Sequence, residues 1–138
     1  MRQLTTAWWT LRLAIGLMAL LAGLDKFLEL LADWDMYLSP LAASLLPVSA
    51  AAFMRIVGIV EMAAGALVLA GRTRPGGYLV AIWLLGVAAN LLATGLFYDL
   101  AARDVVLALS AFALAEIGEA RRAFAEGSAT ASGRPQAA

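Results

Sequence analysis

The sequence AGLDKFLELLADWDMYLSP, residues 22–40, decides how the whole chain is interpreted. An acid and a base, Asp25 and Lys26, stand side by side in an apolar run that is typical of a membrane-spanning helix, and the run continues to Leu31. A charge in the hydrocarbon core costs a few kcal/mol or more if it faces lipid. The helix is therefore predicted to turn its Asp25–Lys26 side toward partner helices that carry polar groups.

The composition agrees with a membrane location. Of the 138 residues, 63% are hydrophobic and only 14% are charged, which is far more apolar than a soluble domain requires. A bundle of about four helices, each of roughly 20 residues, uses nearly the whole chain. The sequence therefore predicts an all-α integral membrane protein, with one four-transmembrane-helix bundle over residues 1–122.

The apolar segments give the candidate spans, which are residues 7–31, 52–70, 78–97 and 104–118. Residues 36–51 are also free of charge, but Pro40 and Pro47 fit a lipid-facing span poorly. This segment is predicted to be an outer loop with a short interfacial helix. Residues 123–138 are small and polar without apolar periodicity, and they are predicted to form a disordered tail.

Basic residues are distributed unevenly over the predicted loops. With four spans, one side of the membrane carries Arg2, Arg72, Arg74, Arg121, Arg122 and Arg134. The opposite side carries mostly acidic residues. The positive-inside rule therefore predicts that both termini are cytoplasmic, in a multi-pass protein of the cytoplasmic (inner) membrane.

Polar residues within the spans are predicted to meet in the outer half of the bundle. Because Cα–Cβ bonds tilt toward the N-terminus of a helix, Lys26 and Glu61 lean toward each other from antiparallel helices. The last span is too short for the bilayer at 1.5 Å per residue, which draws its first residues into the membrane. The predicted cluster contains Lys26, Arg55, Glu61, Asn90 and Asp104. Asp25, Arg103 and Arg12 are possible additions, although Arg12 leans toward the cytoplasmic side.

Small residues predict where two helices pack closely. Gly16 and Gly23 share one face of the first span, and Gly58 and Gly65 share one face of the second. Such spacings allow membrane helices to approach one another. The tryptophans Trp8, Trp9 and Trp83 are predicted to be interfacial or lipid-facing aromatics.

Several classes of site are excluded by residue type. The chain contains no cysteine and no histidine, so thiol chemistry and the usual haem, zinc and iron–sulfur ligands are missing. No metal site is expected. The formal net charge is zero and no basic block occurs, which argues against nucleic acid as a partner.

Three stretches resemble the DoxX family of small four-helix bacterial membrane proteins. They are GLDKFLELLADWDMYLSP, RIVGIVEMAAGALVLAGRTRPGGYL and RDVVLAL, and the resemblance covers about residues 8–118. It implies a membrane subunit of the kind found in thiosulfate:quinone oxidoreductases and other membrane oxidoreductase complexes. The charged positions of the family fall here on Arg12, Lys26, Glu61, Arg103 and Asp104.

Three functions are compatible with these features. The first is an accessory subunit of a quinone-linked oxidoreductase, in which Lys or Arg binds a quinone carbonyl and Glu61 handles a proton. The second is a small proton-coupled carrier or binding protein, with a homodimer as its minimum. The third is a structural or assembly subunit whose polar cluster only fixes the packing. Each places the chain in the lipid bilayer, alone or with other protein subunits.

Overall fold

All regular secondary structure is helical in the part of the chain that a computed structural model describes, which is residues 2–132. No strand occurs in that part. The elements in chain order are α1 (Arg2–Leu28), a 3-10 helix (Trp34–Tyr37), α2 (Pro40–Leu45), α3 (Ala50–Leu69), α4 (Thr73–Thr94) and α5 (Tyr98–Ser132).

Three of these helices are long and apolar enough to cross a membrane, namely α1, α3 and α4. The all-helical class of the chain and its suitability for a bilayer are therefore seen in the structure. The fourth predicted span, residues 104–118, lies within α5. Its crossing of the membrane stays a prediction, as does the side on which the termini lie.

The helices α1 and α3 pack as an antiparallel pair through their glycines. A Cβ built on Gly23 would lie 2.6 Å from the carbonyl oxygen of Gly58, and one on Gly58 would lie 2.7 Å from that of Gly23. Nearer the other end of the pair, a Cβ on Gly65 would lie 2.7 Å from the carbonyl oxygen of Gly16. No side chain fits between the backbones at these points, so the predicted close approach is confirmed.

The helices α4 and α5 form a second antiparallel pair. A Cβ on Gly77 would lie 2.7 Å from the carbonyl oxygen of Ala111. A tight turn joins the two pairs, in which Gly71 takes a φ of 90° just beyond the end of α3. That left-handed conformation is one that glycine adopts without steric cost.

The two halves of the bundle differ in packing. Toward the start of α1, a core that includes Ile15, Val68 and Leu114 is almost completely buried. In the half that contains the end of α1, the helices leave an open volume, which the segment between α1 and α3 partly covers. Dense packing at one end thus fixes the frame around a cavity at the other.

Helix α1 ends at Leu28, earlier than residue 31 where the predicted span ends, because the Asp25 carboxylate binds the chain that follows. It accepts hydrogen bonds from the backbone N–H groups of Leu30 at 3.0 Å and Leu31 at 3.1 Å. Glu29, the first residue after α1, takes a φ of 52°. This left-handed conformation stops the helix at the position where a glycine is usual.

Replacing Glu29 with glycine is expected to stabilise the protein by about 1 kcal/mol, since glycine removes the cost of the left-handed conformation. Thermal unfolding in detergent would show the gain. The control is Asp33→Gly, at a residue with a φ of −81°, which should not be stabilising. If both variants destabilise equally, the backbone at Glu29 is not strained.

The predicted disordered tail requires a correction for residues 123–132, which continue α5 as helix up to Ser132. Alanine and glutamate in AFAEGSATAS favour helix, and the segment extends a helix that is already formed. Its side chains are exposed as far as residue 130. The last part of that prediction, residues 133–138, lies outside the described residues.

Candidate functional site

A cavity of about 830 Å³ lies in the less densely packed half of the bundle. All four long helices contribute to its wall, and so do the 3-10 helix and α2. Most of the wall is apolar, including Met18, Phe53, Val57, Leu91 and Leu107. A mostly apolar cavity of this size with a few polar groups is typical of a small-molecule site.

An ion pair between α1 and α3 forms part of the wall. The Lys26 ammonium lies 2.6 Å from the Glu61 carboxylate, and the two side chains are 4% and 11% exposed. Both residues were expected in one cluster because they lean toward each other, and the structure joins them directly. Each charge needs the other in this apolar setting, since an isolated buried charge is strongly unfavourable.

Two tryptophans hold the ion pair in place. The indole N–H of Trp83 on α4 donates to Glu61 Oε1 at 3.2 Å. On the other side, Lys26 Nζ lies 3.7 Å from the centroid of the Trp34 ring, a cation–π contact. Trp34 in turn donates its indole N–H to Asp25 Oδ2 at 2.8 Å. The pair is therefore fixed from α4 and from the segment that follows α1.

Asp25 serves a different purpose from Lys26. Its side chain is buried but is absent from the cavity wall. The carboxylate is occupied by Leu30, Leu31 and Trp34, so it shapes the connecting segment instead of meeting a ligand. Asp25 thus positions Trp34 over Lys26.

Asn90 on α4 holds the covering segment at its other end. Its amide nitrogen donates to the carbonyl oxygen of Tyr37 at 2.7 Å, and its amide oxygen accepts from the backbone N–H of Ser39 at 3.0 Å. Tyr37 and Leu38 line the cavity beneath this contact. Asn90 was predicted to belong to the polar cluster, and it does line the cavity. Its hydrogen bonds join α4 to the chain that leads into α2.

The start of α5 supplies the second charged pair of the cavity wall. The Asp104 side chain is 6% exposed and lies 3.4 Å from the guanidinium of Arg103, whose side chain is 62% exposed. Both residues line the cavity, as does the Lys26–Glu61 pair. The charges of the wall are therefore balanced, two positive and two negative, which favours an uncharged ligand.

The structure separates Arg55 and Arg12 from this cluster. Arg55 is exposed and does not line the cavity. Arg55 and Glu61 are six residues apart on α3, and each residue adds a rotation of about 100° around the helix axis. The two side chains therefore point in clearly different directions. Arg12 lies near the opposite end of α1, where its guanidinium donates to the carbonyl oxygen of Leu69 at the end of α3.

The cavity reaches the outer surface of the bundle. Leu79, Ile82 and Gly86 line it from α4 and are exposed on the surface of that helix. Nothing lies within 4 Å of a Cβ built on Gly86. In a membrane, this exposed side of the cavity would face the acyl chains.

The sequence patterns did not predict that tryptophans would line the cavity and bind its charged residues. Trp83 was expected at the interface or facing lipid, yet it is hydrogen-bonded to Glu61. The only signal in the sequence is its helical position. Trp83 lies seven residues before Asn90, two turns along α4, and therefore on nearly the same face.

Comparisons with known proteins give no further guide to this site. The chain matches no protein-family model, no curated protein and no solved structure.

Proposed function

We propose that the protein is a DoxX-like membrane subunit that binds a quinone in the cavity and serves a quinone-linked oxidoreductase complex. The observation that carries the proposal is the cavity of about 830 Å³, apolar in most of its wall, with the Lys26–Glu61 pair and Arg103 at its polar part. A lipid-soluble molecule with a polar, uncharged head suits such a wall.

The donor to a quinone carbonyl is best assigned to Arg103. Lys26 is occupied by Glu61, by Trp34 and by the carbonyl oxygen of Ala22 at 3.5 Å. Within residues 2–132, Arg103 has only Asp104 as an ion-pair partner, and its side chain is largely exposed. A guanidinium has five N–H donors in a fixed plane, so it can keep that contact and donate to a ligand.

Glu61 is the group that would exchange a proton with the bound ligand. Its carboxylate is in the cavity wall, where a bound ligand can reach it, and carboxylates act as proton donors and acceptors in many sites. Quinone, when bound, supplies the electron-accepting chemistry that a chain without cysteine or histidine lacks. The electrons would come from a partner subunit.

A binding experiment with a matched pair of variants tests the cavity. Gly86→Phe places a ring at the opening, where the structure leaves space, whereas Ala89→Phe adds the same ring at an exposed residue outside the cavity wall. A short-chain quinone is titrated into the protein in nanodiscs, and tryptophan fluorescence is followed, since Trp34 and Trp83 line the cavity.

Saturable quenching is expected for the wild type and for Ala89→Phe. For Gly86→Phe the dissociation constant should rise by about tenfold or more, which corresponds to about 1.4 kcal/mol of lost binding free energy. Quenching that rises linearly with quinone in all three proteins would indicate partition into the bilayer. That result would contradict binding in the cavity.

Membership of a complex is tested by gentle extraction from the native membrane and native mass spectrometry. The proposal expects an oxidoreductase subunit together with a retained quinone. The chain alone, or a homodimer carrying only phospholipid, would contradict it.

One observation favours a second candidate, a structural subunit. The ammonium group of Lys26 is fully engaged within the protein, as expected of an ion pair that only joins α1 to α3. The double variant Lys26→Met, Glu61→Leu separates the candidates. A structural subunit without a ligand site predicts no saturable quinone binding by the wild type and intact assembly of the double variant. The proposed site predicts saturable binding by the wild type that is weaker in the double variant.

A further inference from the structure

Near the end of the bundle opposite the cavity, two arginines meet at one tryptophan. The Arg12 guanidinium carbon lies 4.8 Å from the centroid of the Trp8 ring, and that of Arg121 lies 4.1 Å from it. Trp8 is buried, and its indole N–H donates to the hydroxyl of Thr73 at 3.2 Å. Three helices, α1, α4 and α5, therefore fix the two cations at this ring.

Neither cation forms an ion pair with a carboxylate of the described chain. The ion pairs of the described residues involve Lys26, Arg74 and Arg103, not Arg12 or Arg121. The nearest acidic residues on α5 are committed elsewhere, because Glu116 accepts a hydrogen bond from Tyr78 and Glu119 pairs with Arg74. Both guanidinium carbons lie within 4.8 Å of one ring centroid, and an anion beside that ring would offset the repulsion between the two like charges.

Arg12 also has unused hydrogen-bonding capacity. Its Nε is buried and has no hydrogen-bond partner among the described residues. A buried donor left without an acceptor is unfavourable. An anionic oxygen is the acceptor that a guanidinium binds most strongly.

An apolar path leads away from the arginines along α1. Trp9, Leu13 and Leu17 are exposed, and their spacing of four residues places them on one face of the helix. Trp9 also contacts Arg12, whose guanidinium carbon lies 4.6 Å from its ring centroid. Two cations therefore lie beside the Trp8 ring. The exposed side chains of Trp9, Leu13 and Leu17 form an apolar strip next to them, which suits an acyl chain.

We propose that Arg12 and Arg121 bind the phosphate of an anionic phospholipid, whose acyl chain lies along Trp9, Leu13 and Leu17. The charged end takes the headgroup phosphate and the strip takes the chain, as basic pockets between membrane helices do for anionic lipids. The site is separate from the quinone cavity and does not depend on its function.

The test compares lipids that differ only in headgroup charge. Delipidated full-length protein in detergent is mixed with phosphatidylglycerol or phosphatidylcholine of identical acyl chains, and bound lipid is counted by native mass spectrometry. Arg121→Gln removes one of the two cations. The control is Arg122→Gln, an equal loss of charge at the adjacent exposed residue, which does not lie over a tryptophan ring in the described part.

Wild-type protein is expected to prefer phosphatidylglycerol, and Arg121→Gln should weaken that preference by about fivefold. Arg122→Gln should leave it nearly unchanged. Equal binding of the two lipids by the wild type would overturn the proposal, and so would equal losses in the two variants. Complete displacement of the lipid by millimolar inorganic phosphate would also overturn it, because the site would then recognise phosphate without the chain.

Discussion

Replacing Lys26 with methionine is expected to lower the free energy of unfolding by about 3–5 kcal/mol, because it leaves the Glu61 carboxylate without its partner in an apolar wall. Among the residues that the structure describes, the indole N–H of Trp83 is then the remaining side-chain partner of Glu61. Denaturant or thermal unfolding in detergent measures the loss.

Two controls test whether the loss of stability arises because the Lys26–Glu61 pair is buried. Arg74→Met breaks the exposed pair with Glu119, whose side chains are 55% and 47% exposed, and should cost less than about 1 kcal/mol. The double variant Lys26→Met, Glu61→Leu should recover most of the loss, because apolar residues can replace a buried pair. A loss below about 1 kcal/mol for Lys26→Met would mean that water in the cavity solvates Glu61, and the pair would not join the helices.

The second large effect is expected at the contact between α1 and α3. Gly23→Ala puts a methyl group 2.6 Å from the carbonyl oxygen of Gly58, a backbone atom that cannot rotate away. The helices must separate, at a cost of about 1–3 kcal/mol. Thermal unfolding in detergent would show the loss.

The matched control is Gly86→Ala, because a Cβ at Gly86 meets nothing within 4 Å. Alanine also favours helix over glycine by about 1 kcal/mol, so this variant should be neutral or stabilising. If the two variants behave alike, the close approach of α1 and α3 does not contribute to stability.

The α1–α3 contact and the ion pair belong together. A Cβ on Gly58 would lie 3.1 Å from Cβ of Lys26, so the same close approach that excludes side chains brings Lys26 within reach of Glu61. A wider α1–α3 separation should therefore also weaken quinone binding if Glu61 takes part in it.

Sequence patterns predicted the parts of this structure that depend on helix period and direction. The glycine spacing on α1 and α3 predicted their contact, and the tilt of Cα–Cβ bonds predicted that Lys26 and Glu61 approach each other. Both follow from geometry within one helix, which the order of residues determines. The helical class of the chain follows from its apolar segments in the same way.

Features that depend on tertiary contacts escaped prediction. The early end of α1 at Leu28 was missed for a different reason. The apolar pattern continues to Leu31 and does not show that the Asp25 carboxylate would bind the chain that directly follows the helix. Arg55 was placed in the cluster by its depth alone, although its direction on α3 turns it away. Trp34 and Trp83 became wall residues because Asp25 and Glu61 offer acceptors to their indole N–H groups, which composition cannot reveal.

The central claim is that a quinone binds in the cavity beside Glu61 and Arg103. The most direct test is photo-cross-linking with an azidoquinone in proteoliposomes, followed by mapping of the labelled peptides. The claim predicts labels on cavity-lining segments of α3, α4 and α5, removed by excess unlabelled quinone and by Gly86→Phe. Labels scattered over lipid-facing residues, and unaffected by excess quinone, would contradict it.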